Sequence, residues 1–419
     1  MDLNLPTRPT ASSEATSSQS TPQRVTFPIA CLTGGESRLK ERYECAKSIE
    51  ACIQRYYEPQ FRLRVEHFVT ILLVPFKSLE PNGGLSYKTN TGHTLKDRLE
   101  SVSPFCKHYM LHLDPGNLRK NYWSHAIPKE LKPQKPLDSN MTPGEINRSM
   151  YYRASFKTST TSDIISNNVG DKEEVKCRSR DNRYILSQSD HPPIFWFIPR
   201  GFNNNVANNN ATGNFKAGYW HLTRVDLLND LHSNRQLGKT HKVWNMICID
   251  KRYYGYLQKG LCAFKFWGYK TLDDGHVQVC LKFFWMPEML GRFNQVIDLN
   301  TIKQFDPASI PDGSPTFNPT KVKPNKDLSV DLHIFENQGC PRPEQVKNCQ
   351  APSGKSILIN MSEQDAKLFQ QVVTIHWNCV TFAALCGGAG KAWFLTGKSQ
   401  VDGSLQPRDK EFKQTFEDL

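Results

Sequence analysis

The sequence has no apolar run long enough to cross a membrane. The longest nearly unbroken one, Phe68 to Phe76, contains Thr70 and Pro75 and falls well short of the roughly 20 residues a spanning helix needs. Met1 to Gln23 is polar and rich in Ser, Thr and Pro, without the apolar core of an export signal. The twelve cysteines form no tight framework of pairs, which excludes a disulfide-stapled secreted scaffold. Repeats at solenoid or propeller periods are also missing. These absences lead us to expect an intracellular protein of cytoplasm or nucleus, not secreted, with reduced thiols and no membrane partner.

Acidic residues are in deficit: 41 against 53 basic ones, a net charge of +12. Such a balance suits a polyanion such as DNA or RNA and says nothing about fold. The excess is concentrated between Arg235 and Lys270, where eight basic residues face a single acid, Asp250, with aromatics interleaved. Lys239, Lys242, Lys251 and Arg252 are the candidate phosphate contacts. A solvated basic face is the other reading of the same segment.

What is present suffices for real cores: 419 residues, 38% hydrophobic and 11% aromatic, enough for two or three packing units. Residues 1–24 read as a disordered tail. An N-terminal α/β segment is expected over 25–131. It opens with a helix at Arg38 to Tyr57, where Leu39, Tyr43, Ala46, Ile49 and Ile53 recur at helical steps. Strands are expected over Phe61 to Phe76, because Val69 to Val74 is a continuous apolar run. Residues 132–176 read as linker or loops. In the central unit, 177–290, strands are expected at Tyr184 to Leu186 and Ile194 to Ile198, a helix at Tyr219 to Leu231, and a hairpin around Asp273-Asp274-Gly275. Residues 291–361 form an irregular connection with short strands. A closing helix spans 362–388, capped by Ser362 and stopped by Gly387-Gly388, and 389–419 is a polar tail.

Several local patterns fail as sites. Gly387-Gly388-Ala389-Gly390-Lys391 lacks the first glycine and the Ser/Thr of a phosphate loop, since Leu385 and Ala392 stand there. Cys340 with Cys349, and Cys379 with Cys386, are too far apart in sequence for zinc pairs. His108 and His112, or His376 and Cys379, could share a helix face, but no third ligand accompanies them. No metal ligand is therefore assigned from sequence.

The order of features from Cys177 to Pro287 is more specific. Arg178-Ser179-Arg180-Asp181 is followed by Phe195-Trp196-Phe197-Ile198-Pro199, then Trp244-Asn245-Met246-Ile247-Cys248-Ile249. Tyr254 lies nine residues after Asn245, and Gly260-Leu261-Cys262-Ala263-Phe264-Lys265 and Phe283-Phe284-Trp285-Met286-Pro287 complete the series. This resembles the HNH nuclease domain proteins of filamentous fungi over roughly 177–290, and more loosely to about 390 through Thr374-Ile375-His376-Trp377 and Ala383-Ala384-Leu385-Cys386-Gly387.

The resemblance implies an α+β fold, with a ββα-metal core in a larger mixed domain beside the N-terminal segment and the C-terminal helix. It also implies a strand His as general base, an Asn that orients it or shapes the loop, and a helix His on a Mg or Zn ion. Here Trp196 and Tyr254 occupy the two His positions and only Asn245 is retained. Indole has no basic lone pair, and a phenol is protonated at neutral pH. The family's opening Cys and Thr-Gly are likewise altered, to Tyr184 and Ser187-Gln188. The leading expectation is thus a degenerate nuclease centre kept for nucleic-acid binding or for structure, needing no cofactor. An active endonuclease using displaced ligands (His191, His221, His232 or His241) and a divalent metal is the second. A protein-interaction module without a nucleic-acid role is the third.

Overall fold

The computed structural model describes residues 36–114, 168–181, 192–203, 209, 212–213, 215–227, 231, 239–272, 275–287, 293–297, 299 and 353–390. The expected strand at Tyr184 to Leu186, the pair Ser187-Gln188, and His191 and His232 lie outside these residues. So do both polar ends and most of 291–361.

The fold is mixed α+β. Helices α1 (Glu36–Tyr56), α2 (Val65–Leu73) and α3 (Gly92–Leu113) come first, and α4 (Asn168–Arg180) follows. Strand β1 (Ile194–Trp196), helix α5 (Lys216–Thr223), strand β2 (Met246–Cys248) and helix α6 (Lys251–Gln258) lead into β3 (Cys262–Thr271), β4 (His276–Trp285), β5 (Ser356–Ser362) and α7 (Glu363–Leu385). β1 and β2 form an antiparallel ribbon; β3, β4 and β5 form an antiparallel sheet with β4 in the middle.

Three segments differ from the sequence reading. Phe61 to Phe76 holds helix α2 and no named strand: all nine helical residues are buried, so the apolar run had no periodicity to reveal its type. Only Arg64 makes an isolated bridge, to Val296, and the described part of the N-terminal segment otherwise consists of helices joined by turns and irregular stretches. The linker assigned to 132–176 ends in α4, whose charged turn Asp171-Lys172-Glu173-Glu174 favours helix without any apolar stripe. The helix expected from Tyr219 to Leu231 stops at Thr223, because Arg224 adopts a left-handed φ of 55°.

The hairpin and the closing helix follow their local chemistry. Register across β3 and β4 runs from Cys262 opposite Trp285 to Thr271 opposite Val277, with a bulge at Trp267. Ser362 Oγ accepts the Asp365 N–H at the start of α7. At the other end Gly388 N–H bonds to the Ala383 carbonyl and Gly387 N–H to the Ala384 carbonyl, with Gly387 at φ 82°. That paired closure is what two glycines after a helix supply.

One face of the sheet (Val277, Val279, Leu281, Ile357, Ile359, Met361) is buried in the main core with Phe369, Val372 and Val380 of α7. The β1–β2 ribbon separates that core from a small second one. Phe195, Phe197, Ile247 and Ile249 join the main core. Ile194, Met246 and Cys248 pack instead with Cys177 of α4, and Trp196 lies against them.

Candidate functional site

In chain order the ribbon strands and the helices run β1, α5, β2, α6, with Asn245 at the entry to β2 and Tyr254 in α6. The strand alternation sends Phe195 and Trp196 to opposite sides of the ribbon. Trp196 meets the second core, its ring 5.3 Å from His241 and 5.7 Å from the Arg200 guanidinium. Tyr254 packs on the main core with its ring 6.2 Å from Phe195. Trp196 and Tyr254, which the resemblance would bring together, therefore do not converge on one pocket, and the ββα-metal core it implies is not seen around them. Both faces of the ribbon are buried, so the sequence could not tell which residues point toward α6.

The side that faces the main core is filled with rings. Phe195 and Phe197 lie edge-on to one another at 5.6 Å, and each ring is 5.4 Å from His376 of α7. His376 is fully buried. Its Nδ1 is 2.8 Å from the Tyr109 hydroxyl of α3, and that hydroxyl donates to the Phe197 carbonyl. With the phenol proton committed, Nδ1 carries the imidazole proton and donates to the phenol oxygen. Nε2 is left with no partner. Burial holds this imidazole neutral, its pKa pushed down to about 3. It is packed as a polar core residue, and Cys379, one turn on, is buried too.

Asn245 is fully buried and committed. Its Oδ1 accepts the Ile198 N–H at 2.7 Å, and its Nδ2 donates to the carbonyls of Ile198 and Thr240, both at 3.0 Å. Both amide hydrogens are spent on backbone, so no donor remains to orient a catalytic base. Of the two roles the resemblance offered this residue, the geometry fits loop-shaping.

The described alternative bases are elsewhere engaged or shielded. His241 Nε2 lies 3.3 Å from the Arg200 carbonyl, and burial lowers its pKa. On α5, burial and the nearby Arg98 and Arg224 push the His221 pKa down to about 4. His108 and His112 touch ring to ring at 4.6 Å, with the His108 ring also 4.7 Å from Phe202, and burial lowers both.

Of the proposed phosphate contacts, Lys239 and Lys251 are exposed and Lys242 is half-buried. Lys239 and Lys242 precede β2, while Lys251 and Arg252 open α6, so they form two short segments. A broader basic and aromatic surface lies on the open face of the three-stranded sheet. Trp267 is 57% exposed and Leu358 58%; Tyr269, opposite Val279, is exposed on the other face at the hairpin end. Lys282 Nζ sits 3.5 Å over the Trp267 ring, whereas Lys265 Nζ lies 5.1 Å over Trp377, which is buried in α7 and belongs to the core.

One constellation escaped the sequence entirely. At the end of α4, Cys177 Sγ lies 3.8 Å from Cys248 Sγ of β2 and 3.5 Å from Asp181 Oδ2. Arg180 grips the same carboxylate, Nε to Oδ1 at 2.6 Å and Nη2 to Oδ2 at 2.9 Å, and donates to the carbonyls of Val243 and Met246. The Cys177 thiol is pushed up by its contact with Cys248 and by burial, whereas Cys248, on the accepting side, is pushed down. Among the described residues, these three side chains are the group placed to share a metal ion. No protein-family model, curated protein or solved structure matches the chain.

Proposed function

We propose that the chain is an HNH-nuclease-like ββα protein whose nuclease centre has been converted into core, leaving a binding or structural module. The observation that carries this reading is the filling of the ribbon's inner face by Phe195, Phe197 and the neutral, buried His376. A nuclease of this type needs a base with pKa near neutrality and an open metal position; an imidazole pushed down to about 3 and enclosed by rings provides neither. Asn245 supports the same reading, since its amide holds the loop together.

The test is a plasmid-nicking assay with magnesium, manganese or zinc. Full-length protein should cleave no faster than the buffer control. Metal-dependent nicking that disappears in Asn245→Ala would instead favour an active centre with displaced ligands.

The open sheet face favours nucleic acid as what the module binds. An exposed tryptophan beside a lysine on an antiparallel sheet suits a single strand, whose base stacks on the ring while a phosphate meets the cation. Trp267→Ala should weaken binding to a single-stranded oligonucleotide roughly tenfold, on the scale of about 1–3 kcal/mol per stacked base. Replacing Lys239, Lys242, Lys251 and Arg252 together by Ala should flatten the plot of log K against log salt by up to about four units. Fluorescence anisotropy reads both. No binding even at low salt would leave a protein-interaction module.

A further inference from the structure

Two thiols and a carboxylate, brought from α4 and β2, meet where the second core ends. We propose that Cys177, Asp181 and Cys248 are three ligands of a bound zinc ion. The spacing of the donors carries the assignment. With bonds of about 2.3 Å to sulfur and about 2.1 Å to oxygen, tetrahedral zinc separates two thiolates by about 3.8 Å and a thiolate from a carboxylate oxygen by about 3.6 Å. The observed Sγ to Sγ distance is 3.8 Å and Cys177 Sγ to Asp181 Oδ2 is 3.5 Å. All three donor atoms fall within 4.8 Å of one another.

Charge agrees with geometry. Arg180 and Asp181 already form a neutral pair beside the sulfurs. Binding one Zn²⁺ releases one proton from each thiol, and the dication is balanced by the two thiolates it creates. The buried locus stays neutral before and after. Thiolate donors select zinc over magnesium or calcium.

The surroundings are those of a supported site. Arg180 Nη2 lies 3.6 Å from Cys177 Sγ and fixes both carboxylate oxygens. The Cys248 N–H donates to Asp181 Oδ2 at 2.8 Å. Such outer partners aim ligands and tune their basicity. Three protein donors leave the fourth tetrahedral position to water or another small ligand. The bound ion would cross-link α4 to the ribbon, a role independent of any nuclease ancestry.

The experiment uses the full-length chain, reduced, freed of metal under denaturing conditions and refolded with one equivalent of Co²⁺ or Zn²⁺. Cobalt should give thiolate charge-transfer absorption and the visible bands of tetrahedral geometry at 1:1 stoichiometry. Cys248→Ser should weaken zinc affinity at least tenfold. Zinc-edge X-ray absorption of the wild type needs no variant, and should count two sulfur neighbours at about 2.3 Å with oxygen completing the shell.

Absence of cobalt bands in refolded protein would overturn the site. So would four sulfur neighbours, or an affinity unchanged in a Cys177→Ser, Cys248→Ser chain that folds like wild type. Recovery of a Cys177–Cys248 disulfide from freshly purified protein would replace the metal by a redox pair.

Discussion

Asn245 and Ile198 exchange two hydrogen bonds, side chain to backbone, in the pattern by which one strand pairs with another. The amide stands in for a peptide group just where β1 has ended, and its remaining hydrogen ties down Thr240. Asn245→Ala would leave a buried N–H and two carbonyls without this partner, at about 1–3 kcal/mol for each group left unsatisfied. We expect a loss of about 2–4 kcal/mol in urea unfolding, and Asn245→Asp, which keeps the acceptor but sets a second oxygen against the two buried carbonyls, to lose at least as much. A fully stable Ala variant would show that the clamp is dispensable.

Imidazoles placed at positions 196 and 254 should not create a nuclease. Trp196 faces the second core and Tyr254 the main one, so the double variant Trp196→His, Tyr254→His places its rings on opposite sides of the ribbon. Angstrom-level placement governs such chemistry. The variant should remain as inert as wild type toward plasmid DNA with any divalent metal. Robust cleavage would mean that the two positions converge after all.

Stability should fall in mild acid. A histidine whose folded pKa is depressed binds its proton more readily when unfolded, so its contribution is complete above about pH 6.5 and is lost as pH falls toward the folded value. His376 is held at about 3, and His112 and His221 at about 4. Each can add up to about 1.4 kcal/mol per pH unit to the slope. His376→Leu should reduce the slope between pH 6 and 4 by close to one proton, measured by urea unfolding at several pH values. Glu66 acts in a lower window: burial alone would raise it, but Arg64 and Lys107 bring it down to about 2, so its share is lost only below about pH 4.5.

The crossing of α3 and α5 depends on an absent side chain. A Cβ on Gly218 would lie 2.1 Å from the Ser101 carbonyl oxygen and 2.8 Å from its carbon, both rigid backbone. Gly218→Ala should force the helices apart at a cost of about 1–3 kcal/mol, despite alanine's better helix propensity. Thermal unfolding that is unchanged or improved would contradict this contact.

The hairpin and α7 were legible because each carries its own punctuation. β3 and β4 pair as a hairpin on either side of residues 273 and 274, with Gly275 at φ 77° beside them, and Ser362 and Gly387 bracket a helix with an apolar side. Strand β1 was legible too, but its pairing with β2 was not. What failed has one physical cause: burial on every side erases the pattern. Val65 to Leu73 is enclosed all round and looked like strand. Ile194 to Phe197 is buried on both faces, so alternation could not say whether Phe195 or Trp196 looks toward α6. The Cys177, Asp181 and Cys248 cluster was hidden for another reason, because its thiols lie far apart in sequence and only folding joins them.

The central strand of the sheet waits for its second neighbour. β4 pairs with β3 through a tight turn, but its other edge is met by β5, and Lys282 opposes Ser356 across the whole stretch 283–355. As the chain leaves the ribosome, the hairpin therefore emerges with one edge open and Val277, Val279 and Leu281 uncovered until β5 and α7 arrive. An open edge backed by apolar side chains is a template for pairing with other chains. The interval is long, and closing so large a loop is entropically costly. The β4 edge would thus lie open in any form of this protein truncated before β5.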